Sequence, residues 1–297
     1  MIRIGSRGSV LARWQAEHVR ARLEVLGHEC RIEIITTTGD RIQDRRLESV
    51  GGKGAFLKEI EEAMLAGEVD LAVHSLKDVP TALPEGLRLC AILERADPRD
   101  ALLSAQGARL GDLPAGSVVG TSSLRRQCQV RALRPDVAVS DLRGNVDTRI
   151  AKMREGRCDA IVLAMAGLAR LGRAGEATEV LDPGTFIPAP GQGAIALECR
   201  NGDAAVAAAA GPLHHAPTAR EIEAERGLLQ ALGGGCNVPL GAHATTHGQE
   251  LRLSAFVGRA DGSSLVRGER RGADPAALGR ALADDLLARG AKALLAS

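Results

Sequence analysis

Two arginine-bearing segments near the middle of the chain combine residue types that can hold an anion. They are Gly120–Arg126, which contains Arg125 and Arg126, and Leu142–Arg149, which contains Arg143 and Arg149. Each follows an apolar run typical of a strand and precedes a helical pattern, so its backbone N–H groups should lie at a helix N-terminus, which attracts negative charge. Guanidinium groups bind carboxylates or phosphates in bidentate fashion. One such segment alone could be solvated surface charge, but two in succession favour an anion site.

The composition restricts the kind of anion. Lys and Arg number 38 against 37 Asp and Glu, so the formal net charge is +1, which is far from the basic excess of nucleic-acid-binding proteins. Three Phe, one Trp and no Tyr are too few aromatic rings to stack single-stranded bases. We therefore expect a small polyanionic ligand and no nucleic-acid partner.

A cluster of ionisable residues follows the apolar strand pattern Leu71–Val73. The cluster is His74-Ser75-Leu76-Lys77-Asp78-Val79-Pro80. Ligands of open α/β sheets bind at the carboxyl ends of the strands, so this position favours a functional site. The alternative for Asp78 is a cap of the turn before Pro80, and His74 could serve only to orient the loop.

Cys236 follows three consecutive glycines, Gly233-Gly234-Gly235. A lone cysteine is more often a small buried apolar residue than a reactive group. Glycines allow the backbone to approach a ligand closely and to present the next side chain at an exposed bend. The loop therefore indicates an attachment point at the Cys236 thiol.

Short β-branched runs alternate with helical patterns, which is typical of an α/β fold. Examples are the strand Ile2–Ile4, a helix Val10–Leu26 capped by Ser9 or a neighbour, and the strand Ala160–Ala164. A chain of 297 residues exceeds the usual size of one core, so two or three domains are expected. The breaker-rich segment Ile187–Gly193 predicts a hinge, after which the strand Ala194–Cys199 returns to the first sheet. Two lobes joined in this way would enclose a cleft.

The C-terminal part predicts a smaller unit from about Pro217. Its expected elements are the helix Ala219–Leu232, strands near Gly241–Ala244 and Leu251–Val257, and a final helix Pro275–Leu295. Six scattered cysteines without a C-x-x-C pair argue against a zinc site and a disulfide framework, and we predict no metal site. The absence of a signal-peptide pattern and of any apolar run of ~20 residues predicts a cytoplasmic protein without a membrane partner.

Six motifs taken together resemble the porphobilinogen deaminase family, and the resemblance spans nearly the whole chain. In order they are Gly51-Gly52-Lys53-Gly54, His74–Pro80, Gly120–Gln127, Leu142–Arg149, Gly191-Gln192-Gly193 and Gly233–Cys236. Each motif is weak alone, and their order makes the match specific.

The resemblance implies an α/β fold with two periplasmic-binding-protein-like lobes around a cleft, plus a smaller α+β C-terminal domain. Domain 1 would comprise residues 1–96 and 194–214, domain 2 residues 97–193, and domain 3 residues 215–297. The family also implies a dipyrromethane cofactor linked by a thioether to Cys236. Such a transferase would act as a monomer in haem biosynthesis, joining four porphobilinogen molecules head to tail with loss of ammonia before water releases hydroxymethylbilane.

The matching motifs also imply the roles of individual residues. Asp78 would be the catalytic carboxylate, which offsets the positive charge of an azafulvenium and accepts a proton. The remaining expected residues would bind the acetate and propionate groups of the linked pyrroles, which amount to about twelve carboxylates in all. The cofactor ligands would be Lys77, Thr121, Ser123, Arg125, Arg126 and Arg143, and the substrate ligands Arg7, Ser9, Arg143, Arg149, Arg170 and Gln192.

Some residues depart from the family pattern, and two other function classes stay open. Ser49 stands where relatives can carry lysine, and Asp141 and Asp147 place acids beside the arginine segments, which complicates the charge count. A solute-binding or sensing protein would share the two lobes without needing Cys236 or Asp78. A cysteine-dependent hydrolase would need a histidine beside Cys236, a pairing that the sequence neither shows nor excludes.

Overall fold

The structure, a computed structural model, describes residues 1–41, 56–233 and 238–295. The predicted Gly51–Gly54 motif, Ser49, Lys53 and Cys236 lie outside the described residues. The strands are β1 (Ile2–Ser6), β2 (Cys30–Ile34), β3 (Leu71–Ser75), β4 (Leu87–Ile92), β5 (Asp100–Ser104), β6 (Val118–Gly120), β7 (Ala138–Ser140), β8 (Ala160–Ala164), β9 (Glu179–Val180), β10 (Ile195–Arg200), β11 (Leu240–His247), β12 (Glu250–Gly258) and β13 (Leu265–Gly272).

The helices alternate with these strands over much of the chain. They are α1 (Val10–Val25), α2 (Thr38–Arg41), α3 (Lys58–Leu65), α4 (Leu124–Leu133), α5 (Val146–Arg154), α6 (Met165–Arg170), α7 (Ala204–Ala210), α8 (Ala216–Ala231), α9 (Pro275–Leu286) and α10 (Lys292–Leu295). Among the described residues, no helix combines the length and the apolar character that a membrane span requires.

The first sheet has the strand order β2-β1-β3-β10-β4. Strand β1 pairs in parallel with β2 and β3, and β10 pairs antiparallel with β3 and β4, so the predicted return of this strand to the first sheet is confirmed. Alternate residues of β3 face opposite sides of the sheet. Leu71 and Val73 pack in a core with α1, whereas Ala72 packs in a second core with α3.

The second sheet has the order β7-β6-β8-β5-β9, with β6, β7 and β8 parallel and β5 antiparallel to both of its neighbours. The third sheet, β11-β12-β13, is antiparallel. One face of it forms a core with apolar residues of α8, α9 and α10, including Leu228, Leu282 and Leu294. The predicted α/β class, with two sheet-and-helix lobes and a small C-terminal sheet, is confirmed.

The described residues form two compact units. Met1–Ala96 and Gly193–Ala219 make up the first, and Asp97–Gln192 with the described part of Arg220–Ser297 makes up the second. The second unit thus contains both the second and the third sheet. The three domain ranges expected from the sequence stay a prediction.

The final helix differs from the prediction of one helix over Pro275–Leu295. Gly290 has a φ of 99°, which glycine adopts at little cost but which breaks an α-helix, so α9 and α10 are separate. Strand β13 was missed because half of its residues are charged and two more are glycines, in the sequence Leu265-Val266-Arg267-Gly268-Glu269-Arg270-Arg271-Gly272. It is the edge of the third sheet, where charged side chains stay in water.

Candidate functional site

The ionisable cluster after β3 lies on a tight turn at the end of the strand. Strand β3 ends at Ser75, and residues Leu76–Asp78 form a single 3-10 turn. The backbone N–H of Leu76 donates to the carbonyl of Ala194 at 3.0 Å, and the Leu76 side chain is buried, so the turn is anchored to the sheet. The Lys77 and Asp78 side chains beyond this anchor are half-buried.

Asp78 carries a half-buried carboxylate that receives no hydrogen bond from any residue in the described ranges. The turn has no side-chain cap, so the sequence-based alternative of Asp78 as a cap finds no support among these residues. A partly desolvated carboxylate without internal hydrogen bonds can interact directly with a bound cation. Within the described residues, the Asp78 carboxylate is therefore open to a ligand or to water.

Two further expected residues lie at the same edge of the first sheet. Strands β1 and β3 are parallel neighbours, so their carboxyl ends coincide. Arg7 follows β1, and its guanidinium Cζ lies 4.1 Å from the centre of the Phe56 ring, a cation–π contact. Ser9 caps α1 by accepting a hydrogen bond from the Ala12 N–H at 3.3 Å, which confirms Ser9 as the predicted cap.

His74 is held inside the first unit by a buried acid. Its Nε2 lies 2.9 Å from Oε2 of Glu198 on β10, and both side chains are buried. Burial and the charge of Glu198 raise the pKa of Glu61 on α3, which faces the same pair. His74 thus joins β3 to β10 immediately before the Asp78 turn, in agreement with a role in orienting that loop.

The first arginine segment turns from β6 into α4 at Thr121–Ser123. Thr121 is buried, and its Oγ1 accepts a hydrogen bond from the Ser123 N–H at 3.3 Å. Ser123 is the N-cap residue but makes no side-chain cap bond. Within the described part of the chain, the first amides of α4, Leu124–Arg126, have no hydrogen-bond acceptor, so they add partial positive charge at this point.

Arg125 and Arg126 are both buried and share one acid, Asp100, the first residue of β5. Arg125 Nη1 lies 2.7 Å from Asp100 Oδ2, and Arg126 Nη2 lies 2.7 Å from Asp100 Oδ1. The two guanidinium groups hold the pKa of Asp100 well below its usual range although burial opposes this, and burial lowers the pKa of Arg126. Asp100 was not among the residues expected from the sequence, although its position at the start of the apolar run Asp100–Ser104 could have indicated it.

The second arginine segment turns from β7 into α5. Gly144 has a φ of 123°, and a Cβ at this position would lie 2.6 Å from the Thr148 side chain, so the turn requires glycine. Asn145 caps α5 by accepting from the Thr148 N–H at 2.8 Å. Arg143 precedes this cap and Arg149 lies one turn into the helix, and both side chains are half-buried.

The acids beside the arginine segments have partners of their own. Asp147 pairs with Arg173, and Asp141 accepts a hydrogen bond from Gln127 Nε2 at 3.0 Å. Asp147 is therefore neutralised by a cation outside the set of expected ligands. Asp147 therefore does not neutralise the expected arginine ligands.

The remaining expected ligands of the second unit lie near the same edge of the second sheet. Strands β6, β7 and β8 are parallel, so the residues after them share one edge, and Arg170 ends α6, the helix that follows β8. Burial lowers the pKa of Arg170 to about 10. Gln192 is buried and donates from Nε2 to the Pro98 carbonyl at 2.7 Å and to Asp100 Oδ1 at 3.1 Å.

These donors fit a ligand with several carboxylates. The Oγ atom of Ser122 is buried and, in the part of the chain that the structure describes, has no hydrogen-bond partner. It lies between the buried Thr121 and the uncapped start of α4. Hydroxyl, amide and guanidinium donors grouped in this way bind anions through charge-assisted hydrogen bonds.

Two family models match the chain. One is described as porphobilinogen deaminase, dipyromethane cofactor binding domain, and matches residues 2–208; the other is described as porphobilinogen deaminase, C-terminal domain, and matches residues 219–288. A porphobilinogen deaminase of Thiobacillus denitrificans is 54% identical over 296 residues, which cover 98% of this chain and 97% of the relative.

Two of the solved structures that align with this chain are solute-binding proteins. An ancestral cationic amino acid solute-binding protein is 15% identical with a TM-score of 0.45, covering 71% of this chain and 87% of its own. A periplasmic substrate-binding protein of an ABC transporter from Coxiella burnetii is 14% identical with a TM-score of 0.44, covering 72% and 92%. The sequence matches, not these structural likenesses, determine the family.

Proposed function

The chain belongs to the porphobilinogen deaminase family, and from this premise we propose which of its residues perform the reaction. The enzyme is a transferase of tetrapyrrole biosynthesis with a dipyrromethane cofactor attached through a cysteine. It joins four porphobilinogen molecules head to tail, with loss of ammonia at each junction, and water then releases hydroxymethylbilane. The observation that supports our assignment best is the half-buried, unbonded carboxylate of Asp78 on a strand-end turn.

Asp78 is the catalytic residue in this proposal. When the C–N bond of the aminomethyl group breaks, ammonia leaves and the pyrrole becomes an azafulvenium cation. A fixed carboxylate stabilises this charge as it develops. After the new C–C bond forms, the attacked pyrrole carbon must lose its proton, and the same carboxylate can accept it.

Arginines bind the carboxylate groups of the substrate. Arg7, Arg143, Arg149 and Arg170 are the proposed substrate ligands, with Ser9 and Gln192 as polar neighbours. Arg7 and Ser9 follow a strand of the first sheet, and the other arginines follow strands of the second sheet. In this proposal they orient porphobilinogen but do not act on the bonds that form or break. Burial lowers the pKa of Arg170 to about 10, so the guanidinium stays charged near neutral pH, and a carboxylate beside it would raise this pKa again.

Cys236 is the proposed point of cofactor attachment, through a thioether. When bound, the dipyrromethane supplies the terminal pyrrole carbon to which the first porphobilinogen is joined. Lys77, Thr121, Ser123, Arg125, Arg126 and Arg143 are the proposed ligands of its acetate and propionate groups. Thr121 and Ser123 offer short polar side chains, and the unbonded amides of α4 add to them.

The proposal also covers the domains of the chain, its oligomeric state and its location in the cell. We propose three domains, of which domain 1 comprises residues 1–96 and 194–214, domain 2 residues 97–193, and domain 3 residues 215–297 with Cys236. The enzyme acts as a cytoplasmic monomer without a nucleic-acid partner. The near-neutral net charge of +1 supports the last of these statements.

The stoichiometry of the reaction tests the proposed function. Purified protein given porphobilinogen should release one ammonia for each porphobilinogen consumed and yield one linear tetrapyrrole for every four. A solute-binding protein would retain porphobilinogen with no ammonia formed. Parallel assays of ammonia and of tetrapyrrole, oxidised to its coloured form, distinguish the two outcomes.

Replacing Arg143 or Arg149 by Leu should slow turnover by about 10-fold to 100-fold, since a hydrogen bond to a charged group contributes about 1.5–3 kcal/mol. Arg289→Leu is the matched control, because Arg289 is an exposed cation next to the break between α9 and α10. Its turnover should stay at the wild-type value. Equal losses in all three variants would show that general surface charge, rather than the arginine segments, determines activity.

A further inference from the structure

Asp100 is a fully buried acid that contacts three of the expected ligands. Its Oδ2 accepts from Arg125 Nη1 at 2.7 Å, and its Oδ1 accepts from Arg126 Nε at 3.0 Å and from Arg126 Nη2 at 2.7 Å. Gln192 Nε2 donates to Oδ1 from a further side at 3.1 Å. Asp100 thus contacts Arg125, Arg126 and Gln192 without being an expected ligand itself.

The two arginines use different edges of their guanidinium groups. On Arg126, the Nε–Nη2 edge, which is the edge suited to a carboxylate, is occupied by Asp100, and Nη1 donates to the Val162 carbonyl at 2.8 Å. On Arg125, only Nη1 is engaged, with Asp100 and with the Ile187 carbonyl, each at 2.7 Å. The Nε–Nη2 edge of Arg125 has no acceptor among residues 1–41, 56–233 and 238–295.

The orientation of Arg125 is restricted as well. Its side chain is 6% exposed, and the Phe186 ring centre lies 5.9 Å from its Cζ. With Nη1 fixed by two acceptors, the guanidinium plane has little freedom to rotate. The unused edge therefore points in one direction set by the protein.

The charges of the cluster do not cancel. Arg125 and Arg126 supply two positive charges and Asp100 one negative charge, and all three side chains are buried. A buried charge without compensation is costly. One carboxylate on the unused edge of Arg125 would balance the cluster with a bidentate pair of hydrogen bonds.

We propose that Asp100 is a positioning residue that occupies Arg126 and thereby leaves the Nε–Nη2 edge of Arg125 directed at a single ligand carboxylate. The inference rests on the proposed function, in which Arg125 binds the cofactor. Both arginines remain proposed cofactor ligands, but only Arg125 makes a bidentate contact. Arg126 has its Nε–Nη2 edge on Asp100 and Nη1 on the Val162 carbonyl, so it keeps only single N–H groups for the ligand.

The test measures cofactor loading by mass. Cofactor-free protein is incubated with porphobilinogen, and the rate at which the chain gains the mass of two linked pyrroles is followed by mass spectrometry. Asp100→Asn should load about 10-fold to 100-fold more slowly than wild type, as expected for the loss of one charge-assisted contact. A loading rate at the wild-type value in a folded Asp100→Asn variant overturns the inference.

Asp70→Asn is the matched control, because Asp70 has the same arrangement in the first unit. Its carboxylate accepts from Arg3 at 2.7 and 3.0 Å and from Arg200 at 3.1 Å, and these bonds lower its pKa to about 2 although burial opposes the shift. Asp70 precedes β3, at the strand end opposite Asp78. Asp70→Asn should melt at a lower temperature than wild type but load at the wild-type rate.

A double variant decides whether Asp100 acts through Arg125. Arg125→Gln should itself load slowly, and Asp100→Asn combined with Arg125→Gln should load no more slowly than Arg125→Gln alone. A further 10-fold loss in the double variant overturns the inference. In the wild-type cluster the two arginines and Asp100 sum to +1, and the double variant has the same charge because only Arg126 remains charged. It should therefore fold even if Asp100→Asn alone does not, and it can still be compared with Arg125→Gln. Wild-type loading by Arg125→Gln would instead refute the proposed role of Arg125.

Discussion

Asp78→Asn should bind porphobilinogen with nearly unchanged affinity and release ammonia orders of magnitude more slowly than wild type. The asparagine keeps the shape of the side chain but removes the charge that offsets the azafulvenium. Deleting one preorganised electrostatic group from an active site costs ~10²–10³ in rate. Affinity is preserved because the substrate carboxylates contact arginines, not Asp78. Single-turnover ammonia release and an independent binding titration measure the two quantities separately.

Two further variants show whether the loss at Asp78 is specific. Asp136→Asn removes an exposed carboxylate that pairs with Arg134 at 2.6 Å, and its rate of ammonia release should equal that of wild type. Asp78→Glu restores the charge on a longer side chain and should recover part of the rate. If Asp78→Asn condenses porphobilinogen at the normal rate, Asp78 is structural and both of its proposed roles belong to another residue.

Cys236→Ser should fold and show no measurable turnover. A serine hydroxyl is a much weaker nucleophile than a thiolate at neutral pH, so the cofactor has no anchor. The purified variant should have the mass of the bare polypeptide, and its circular dichroism spectrum should match that of wild type. Near wild-type turnover would refute attachment through this cysteine.

Cys30→Ser is the control for the cysteine prediction. Cys30 is half-buried on β2, where its Sγ donates to the His28 carbonyl at 3.5 Å, and serine can make the same hydrogen bond. We expect this variant to carry the cofactor and to turn over as wild type does. Loss of the cofactor in both variants would show that the loss is not specific to Cys236.

The sequence predicted those parts of the fold that depend on local pattern. Strand β8 was placed at its observed bounds, α1 began at its predicted cap Ser9, and β10 joined the first sheet as expected. Strands β4 and β5 were missed because they lack the β-branched runs typical of strands: Ile92 is the one β-branched residue of β4, and β5 has none. Edge strand β13 was missed because a charged edge does not resemble a buried strand.

The arginine segments and the cluster around Asp78 were found in the sequence through turns and strand ends, which are local features, whereas the full set of ligands was implied by the family resemblance. The sequence could not show which acid pairs with which arginine. Asp100 is 25 residues from Arg125 and meets it because β5 and β6, the strand before α4, both pair with β8. The same limit applies to Asp147 on α5, whose partner Arg173 lies 26 residues further along the chain in the loop after α6. Long-range pairing of charges is set by tertiary packing, on which a local pattern carries no information.

The mass of the active enzyme tests the central claim most directly. Intact-mass spectrometry of purified, active protein should give the polypeptide mass plus two linked pyrrole units, and peptide mapping should place the extra mass on the peptide that contains Cys236. An active preparation with only the bare polypeptide mass, or with the added mass on another peptide, would contradict the account.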